Sequence, residues 1–225
     1  MKYTTLLFDL DDTLMDFGKA EENAIEKLLR KYSIPATHEN KQLYVQTNKA
    51  KWAALEKGEI TRKELFSTRF SDFFALVGVE ADGIKANEDY ISFLAEGRFV
   101  IDGAEDICRE LKKNYKMYII TNGAKKAQQS RLKDLPLMES FDGVFVSEEI
   151  GFDKPKKEYF DYVFAHITET DKSKCLVIGD SLNSDIAGAV NYGIDCCWIN
   201  KGEDRNSDAT YCIKNLKELK ELLKA

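Results

Sequence analysis

Histidine is scarce in this chain of 225 residues, which contains only His38 and His166. Neither histidine lies beside a candidate serine or cysteine nucleophile, and the two are not spaced as metal ligands. Serine–histidine and cysteine–histidine catalysis are therefore hard to build, because both need an imidazole next to the nucleophile. Nucleophilic and acid–base chemistry in this chain is expected to come from carboxylates.

Cysteine spacings that would bind a metal or form a redox centre are also missing. The chain has no C-x-x-C sequence and an odd number of cysteines. Most of them lie in apolar runs, which indicates small buried hydrophobic residues. The adjacent Cys196 and Cys197 could form a redox pair, but alternation along a strand would point their thiols to opposite faces of the sheet. The five cysteines are Cys108, Cys175, Cys196, Cys197 and Cys212.

Long apolar runs are absent, and so is a basic excess. No apolar stretch approaches the roughly 20 residues that a membrane-spanning helix needs. Residues 1–5 lack the apolar core and the small-residue cleavage site of a secretory signal. The formal net charge of -6 argues against a nucleic-acid-binding face. We therefore expect a cytoplasmic protein that binds neither a membrane nor a nucleic acid polymer, and the sequence leaves the oligomeric state open.

The chain does contain enough apolar material for a sizeable core. Hydrophobic residues make up 44% of it and charged residues 32%, as in soluble globular proteins. From residue 102 onward, short apolar runs alternate with helical patterns, which predicts right-handed crossovers and a doubly wound, mostly parallel sheet of the α/β class. The predicted strands are 6–8, 117–120, 143–146, 175–178 and 196–199.

The stretch between the first and second predicted strands is helical throughout. Apolar residues recur there at helical spacing, and Thr61 with Glu64 forms a capping box ahead of a phenylalanine-rich face that ends at Gly78. The aromatic residues of this stretch are interpreted mainly as core. We predict an all-helical cap domain over residues 16–97, inserted into an α/β domain formed by residues 1–15 and 98–225.

One predicted strand, residues 6–8, ends abruptly at Asp9, and Asp11, Asp12 and Thr13 follow. Burying carboxylates is unfavourable unless a cation or hydrogen-bond donors compensate for the lost water. The carboxyl end of a parallel strand is also where ligands bind in open α/β sheets. An ordinary Asx turn could explain a single aspartate at this place, whereas the D-x-D-x-T pattern indicates a functional site.

Two later strands also end in polar residues, Thr121 and Asp180, while Lys154 and Asp185 lie a few residues beyond strand ends. A parallel sheet would bring these side chains to one edge. Each has an ordinary alternative: Thr121 and Asp180 as helix caps, Lys154 as a solvated loop lysine, and Asp185 as an exposed acid. Together they supply the oxygen ligands, ammonium and hydroxyl that Mg²⁺-assisted phosphoryl transfer requires.

The charges of these residues suggest how Mg²⁺ would be held. Asp9 and Asp180 are the expected direct ligands, together with the backbone carbonyl of Asp11. Asp185 would orient a metal-bound water from outside the ligand shell. Mg²⁺ is the one cofactor that the sequence predicts.

The same residues predict a reaction. Asp9 would attack phosphorus and form an aspartyl phosphate. Asp11 would protonate the leaving alkoxide and then deprotonate the water that cleaves the intermediate. Thr121 and the backbone of Asn122 would donate hydrogen bonds to phosphate oxygens, and Lys154 would balance charge.

These motifs resemble the four signature motifs of the haloacid dehalogenase (HAD) superfamily, in the family's order and over essentially the whole chain. The resemblance implies a HAD-like Rossmannoid core, and residues 16–97 are similar to the family's helical cap. Asp11 fits the phosphatase branch, because the dehalogenases lack this second aspartate. The motifs are Asp9-Leu10-Asp11-Asp12-Thr13, Thr121-Asn122-Gly123, Lys154-Pro155 and Gly179-Asp180-x-x-x-x-Asp185.

A finer resemblance links the chain to the pyrimidine nucleoside 5′-monophosphatase branch. It implies a small-molecule phosphomonoester substrate such as dUMP, dTMP, UMP or a non-standard pyrimidine nucleotide. Phe17 or Trp52 would stack on the base, and Asn48 or Arg69 would hydrogen-bond its edge, although these positions also fit helix packing. The matching stretches are Asn48-x-x-x-Trp52, Gly58-x-Ile60-Thr61, Arg69-Phe70, Thr121-Asn122-Gly123 and Cys197-Trp198-Ile199-Asn200.

Two other functions compete with this interpretation. A signalling receiver module also forms an aspartyl phosphate on a doubly wound sheet, but its site residues come in a different chain order and no helical insertion follows its first strand. A phosphosugar phosphatase or mutase would share the fold and the motifs. Catalytic turnover separates the enzyme from the receiver, and a substrate panel separates nucleotides from sugar phosphates.

Overall fold

The computed structural model describes residues 2–202 and 206–224, and a sheet of six parallel strands lies at its centre. In chain order the strands are β1 (Thr5–Phe8), β2 (Lys116–Thr121), β3 (Gly143–Val146), β4 (Cys175–Gly179), β5 (Asp195–Ile199) and β6 (Tyr211–Ile213). Their spatial order is β3-β2-β1-β4-β5-β6, so β1 lies between β2 and β4. Strands β1 and β4 are buried along their whole length, which explains their continuous apolar sequences.

Five helices lie between β1 and β2, and the first four of them form the inserted cap. The other helices flank the sheet, and the predicted fold class is confirmed. The cap helices are α1 (Phe17–Lys31), α2 (His38–Glu56), α3 (Arg62–Val77) and α4 (Gly83–Leu94). The flanking helices are α5 (Ala104–Leu111), α6 (Lys125–Leu132), α7 (Ser147–Ile150), α8 (Lys157–His166), α9 (Ala187–Tyr192) and α10 (Leu219–Lys224).

Because side chains alternate between the two faces of the sheet along each strand, the sheet has two separate hydrophobic cores, one on each face. Leu6 packs on one face with helices α5 and α10, whereas Leu7 packs on the other with α8 and α9. Cys196 and Cys197 follow the same rule and belong to opposite cores, so a redox pair between them is excluded. Both are free buried thiols.

The cap has its own aromatic core. The rings of Tyr44 and Phe70 stack with their centroids 5.1 Å apart, and Phe73 and Phe74 are buried beside them. Helix α3 begins at the predicted capping box: the Thr61 hydroxyl accepts a hydrogen bond from the Glu64 amide at 3.2 Å, and the Glu64 carboxylate accepts one from the Thr61 amide at 2.7 Å. The prediction that the aromatics of this stretch are core therefore holds for these three phenylalanines.

Three features differ from the sequence prediction. Strand β6 and the four-residue helix α7 were not expected, because segments this short show no readable periodicity. The expected closing helix over residues 216–223 begins instead as a 3₁₀ turn, Leu216–Glu218, before α10.

The predicted domain boundaries stay a prediction, and residues 1, 203–205 and 225 of the predicted α/β domain lie outside the described residues. Over the described ranges, no helix is both long enough and apolar enough to cross a membrane.

Candidate active site

The candidate site lies where three neighbouring strands end. Asp9 follows β1, Thr121 is the last residue of β2, and Asp180 follows β4. Because β1 pairs in parallel with both β2 and β4, the three carboxyl ends meet at one edge of the sheet. The order of strands reverses direction at this point, which is where open α/β sheets form their ligand crevice.

Lys154 lies at the centre of the site and is fully buried. Its ammonium donates three hydrogen bonds, each 2.7 Å long, to Asp9 Oδ1, Asp185 Oδ1 and the backbone carbonyl of Ile120. All three ammonium protons are therefore used, and two of the acceptors are buried carboxylates. The alternative of a solvated loop lysine is wrong.

Burial and mutual repulsion perturb the titration of these groups. Burial, together with the Asp185 charge, raises the pKa of Asp9 well above its usual value. The same two causes raise the pKa of Asp180 to about 7. Burial alone would lower the pKa of Lys154, but the Asp185 and Asp9 carboxylates outweigh it and hold the ammonium charged. The site therefore carries more negative charge than its lysine balances.

A cation fits this arrangement. One carboxylate oxygen from each of Asp9, Asp180 and Asp185 lies within 4.8 Å of the others. Such a cluster of hard oxygen atoms suits Mg²⁺, and a divalent charge would relieve the repulsion that raises the two pKa values. Asp11, the fourth expected metal residue, lies at the same edge but takes no part in this cluster of side chains.

Thr121 and Asn122 are arranged differently from each other. The Thr121 oxygen accepts hydrogen bonds from the Gly123 amide at 3.1 Å and from Gln128 Nε2 at 2.9 Å, so its own proton can be donated to an anion. The Asn122 side chain instead bonds both backbone groups of Lys154, at 2.8 and 2.9 Å. Asn122 thus fastens the Lys154 loop to the end of β2, which the sequence did not indicate.

Asp11 is held by two residues that the sequence analysis missed. Arg131 Nη1 donates to Asp11 Oδ1 at 2.5 Å, and Gln128 Nε2 donates to Oδ2 at 2.7 Å. Both partners belong to α6 and are buried. The sequence indicates their role only weakly, because the pattern consists of two polar residues one helical turn apart on the helix that follows Thr121.

A cavity of about 220 Å³ opens above these groups. Its floor is the charged site, and its opposite wall comes from the cap, including Phe17, Trp52 and Arg69 among the predicted substrate residues. The cap wall also contains residues that the sequence analysis did not assign to a site. These are Glu56, Phe66, Tyr90, Ile91 and Leu94.

Asn48 differs from the other predicted substrate residues, because it is buried inside the cap and does not line the cavity. It donates to Glu21 at 2.8 Å and accepts from Arg69 Nη1 at 3.0 Å. Arg69 also donates to Asn87 at 2.8 Å, and its guanidinium lies 4.7 Å from the Tyr90 ring centroid. The place of Asn48 is therefore behind Arg69, where it fixes the arginine that faces the cavity.

Comparison with known proteins gives matches along most of the chain. The sequence profile of a family described as haloacid dehalogenase-like hydrolase matches residues 3–193. The HAD-hydrolase YfnB of Bacillus subtilis (strain 168) is 43% identical over 225 residues, which cover 99% of this chain and 96% of YfnB. A crystal structure of YfnB bound to magnesium superimposes with a TM-score of 0.95 at 42% identity and covers 100% of both chains.

The names of two further relatives state a substrate class. The pyrimidine 5′-nucleotidase PynA of Streptococcus pneumoniae is 37% identical over 227 residues, covering 99% of this chain and 96% of PynA. The pyrimidine 5′-nucleotidase YjjG of Escherichia coli (strain K12) is 34% identical over 226 residues, covering 99% of both chains. Both matches extend over the sheet and the cap alike.

Proposed function

The chain belongs to the haloacid dehalogenase-like hydrolase family and is a phosphatase, and we propose that it hydrolyses nucleoside 5′-monophosphates, pyrimidines in preference, through an aspartyl phosphate on Asp9. The observation that carries this proposal is the cavity itself. Two buried carboxylates, the half-buried Asp180 and Lys154 form its floor, and aromatic side chains of the cap form its opposite wall. A phosphate and a base fit these two ends.

In the first half-reaction, Asp9 is the nucleophile. Lys154 holds its Oδ1 at 2.7 Å, so we assign the attack on phosphorus to Oδ2. As the new bond between Asp9 and phosphorus forms, the bond from phosphorus to the ester oxygen breaks, and Asp11 gives a proton to the departing alkoxide. Thr121 donates its free hydroxyl proton to a phosphate oxygen.

In the second half-reaction, a water molecule attacks the phosphorus of the aspartyl phosphate. Asp11, now ionised, takes the proton of that water, and the bond between phosphorus and Asp9 breaks. Inorganic phosphate leaves, and both carboxyl groups return to their starting protonation states. Mg²⁺ held by Asp9, Asp180 and the Asp11 carbonyl, with Asp185 outside the ligand shell, would neutralise the repulsion between carboxylate and phosphate dianion.

The cap wall supports a planar, polar substrate group. The aromatic side chains of Phe17 and Trp52 line the cavity, and so does Arg69, whose guanidinium is fixed by Asn48 and Asn87. A base can stack on such rings, and a fixed guanidinium can donate to the carbonyl oxygens that pyrimidines carry. The names of PynA and YjjG point to the same substrate class.

Steady-state hydrolysis with Mg²⁺ tests this proposal. We expect faster turnover of dUMP, dTMP and UMP than of purine nucleotides or glucose 6-phosphate, and we expect EDTA to abolish it. Asp9→Asn should reduce turnover by about a thousandfold or more, because an amide is a poor nucleophile and metal ligand.

The matched control is Asp106→Asn on α5, whose side chain is 81% exposed and remote from the cavity. It should leave turnover unchanged. Preference for sugar phosphates would overturn the substrate assignment. A protein that becomes phosphorylated once and then shows no turnover would favour a signalling receiver module. Substantial residual turnover in Asp9→Asn would exclude Asp9 as the nucleophile.

A further inference from the structure

Both oxygens of the Asp11 carboxylate are held by one short helix. The guanidinium of Arg131 donates to Oδ1 at 2.5 Å, and the amide of Gln128 donates to Oδ2 at 2.7 Å. The two donors also bond each other, because Arg131 Nη1 lies 3.0 Å from Gln128 Oε1. A carboxylate that accepts hydrogen bonds at both oxygens, from two donors that also bond each other, is held in one orientation.

Arg131 is itself fixed from the cap side. The residue is fully buried, its Nε donates to the Gly97 carbonyl at 3.0 Å, and its guanidinium lies 6.0 Å from the Phe17 ring centroid. Phe17 begins the first cap helix and Gly97 follows the last one. The arginine that holds Asp11 is therefore anchored at both chain segments that join the cap to the sheet.

Gln128 connects Asp11 to the phosphate end of the site. Its Nε2 carries two protons, and it lies 2.7 Å from Asp11 Oδ2 and 2.9 Å from Thr121 Oγ1. Gly123 leaves room for this amide, since a Cβ at position 123 would lie 1.9 Å from Gln128 Nε2. The glycine after Thr121 and Asn122 is therefore required by the side chain of Gln128.

We propose that Gln128 and Arg131 are positioning residues that orient the Asp11 carboxyl group for proton transfer, with Arg131 anchoring Oδ1 and Gln128 holding Oδ2. A guanidinium keeps its protons in proteins, so Arg131 offers a donor to Oδ1 throughout the reaction. Gln128 bonds both Oδ2 and Thr121, so it fixes the carboxyl group relative to the hydroxyl that would donate to the phosphate.

This inference rests on the proposed phosphatase mechanism, in which Asp11 is the general acid. A comparison of two leaving groups distinguishes the loss of Asp11 orientation from general damage to the site. A nucleoside alkoxide needs a proton as it departs, whereas nitrophenolate does not. The ratio kcat/KM reports the phosphorylation of Asp9 for both substrates, so a defect confined to Asp11 appears with the alkyl phosphate alone.

The experiment measures kcat/KM of Gln128→Leu and Arg131→Met. The alkyl substrate is dUMP or glucose 6-phosphate, whichever the wild type hydrolyses faster, and nitrophenyl phosphate is the second. We expect each variant to lose about 10- to 100-fold with the alkyl phosphate and less than about threefold with nitrophenyl phosphate. Arg131→Lys should recover part of the alkyl activity, because an ammonium can replace one of the three Arg131 hydrogen bonds.

A double-mutant cycle gives an independent readout. In an Asp11→Asn background, Gln128→Leu should cause no further loss with the alkyl phosphate, because the residue it orients is already inactive. Arg109→Met on α5, an exposed arginine, is the matched control and should match the wild type. Circular dichroism confirms folding of every variant, and if Arg131→Met does not fold, Gln128→Leu decides.

Three outcomes would overturn the inference. Equal losses with both substrates would mean a general disturbance, and losses that add to those of Asp11→Asn would mean that the α6 pair acts elsewhere. Both outcomes leave the phosphatase mechanism standing. A wild type that hydrolyses none of the three substrates would instead remove the proposed function, and this inference with it.

Discussion

Lys154 shows what a single side chain contributes to the candidate site. Its ammonium is buried, and each of its three donors meets an acceptor at 2.7 Å. Two of those acceptors, Asp9 and Asp185, would otherwise be buried anions without a counter-charge. Breaking a buried ion pair by removing one partner is costly, because the remaining charge stays desolvated.

Lys154→Met should therefore destabilise the protein by about 3–5 kcal/mol and abolish turnover. Urea unfolding with and without Mg²⁺ measures the loss, and saturating Mg²⁺ should restore part of it by supplying positive charge. The matched control is Lys157→Met, whose side chain is 71% exposed and which should change stability by less than about 0.5 kcal/mol. A metal-free Lys154→Met protein as stable as the wild type would contradict the role of Lys154 as counter-charge.

The site could be predicted from the sequence only where topology fixes it. Asp9, Thr121 and Asp180 end neighbouring strands, so a parallel sheet must bring them together. Gln128 and Arg131 escaped prediction because polar residues on a helix normally face water, and their burial depends on how the cap packs over α6. Chain order reveals strand ends, whereas it does not reveal which helix faces the cap covers.

Helix α3 links the cap to the site through its first turn. Arg62, its first residue, donates through Nη2 to the Asn122 carbonyl at 2.8 Å, to Ser147 Oγ at 2.7 Å and to the Asp153 carboxylate. Asn122 and Asp153 are chain neighbours of the predicted phosphate-binding residues Thr121 and Lys154, and Ser147 is the first residue of α7. The same guanidinium lies 5.5 Å from the Trp52 ring centroid, so one side chain contacts both ends of the cavity.

Arg62→Met should raise KM for dUMP and lower kcat/KM about tenfold, because weaker contact between cap and sheet reduces the population that binds substrate. Steady-state kinetics with dUMP checks this expectation. Lys63→Met alters the exposed neighbour of Arg62 on the same turn and should leave KM unchanged. An unchanged KM in Arg62→Met would mean that the contacts of Arg62 with the sheet domain do not limit substrate binding.

Predictability of the elements follows their length. The capping box at Thr61 and the long periodic helices of the cap were readable, because many residues repeat one spacing. Strand β6 has three residues and an exposed middle residue, Cys212, so nothing in the sequence distinguishes it from a loop. It becomes a strand only because β5 offers it a paired edge.

At the scale of the whole molecule, the cap and the sheet meet at one cavity. The aromatic core of the cap is distinct from the two cores of the sheet, and Ala124 and Ala127 at the start of α6 pack into it. The sheet contributes the charged floor, and the cap contributes the wall that would contact a base. We expect the chemistry to depend on the first and the choice of substrate on the second, with Arg62 and Arg131 as the side chains that connect them.

The charged floor also links stability to pH and metal. The folded-state pKa of Asp180 is raised from the usual 3.8 to about 7, and that of Asp9 shifts in the same direction. The folded protein therefore holds protons that the unfolded chain releases above its ordinary carboxyl pKa. In the metal-free protein, this contribution to stability is complete below the unfolded pKa and is lost as the pH rises through the folded one.

Bound Mg²⁺ should reverse that trend, because the metal binds ionised carboxylates and competes with their protons. At a concentration of about 100 Kd, Mg²⁺ should raise the Tm by about 5–10 °C near pH 8. Near pH 5 the same Mg²⁺ concentration should give a much smaller rise, since Asp180, whose pKa is raised to about 7, is then protonated. Thermal unfolding with Mg²⁺ and with EDTA at both pH values measures the difference. Asp180→Asn should show little gain at either pH, and an equal gain in the wild type at both would contradict metal binding by these carboxylates.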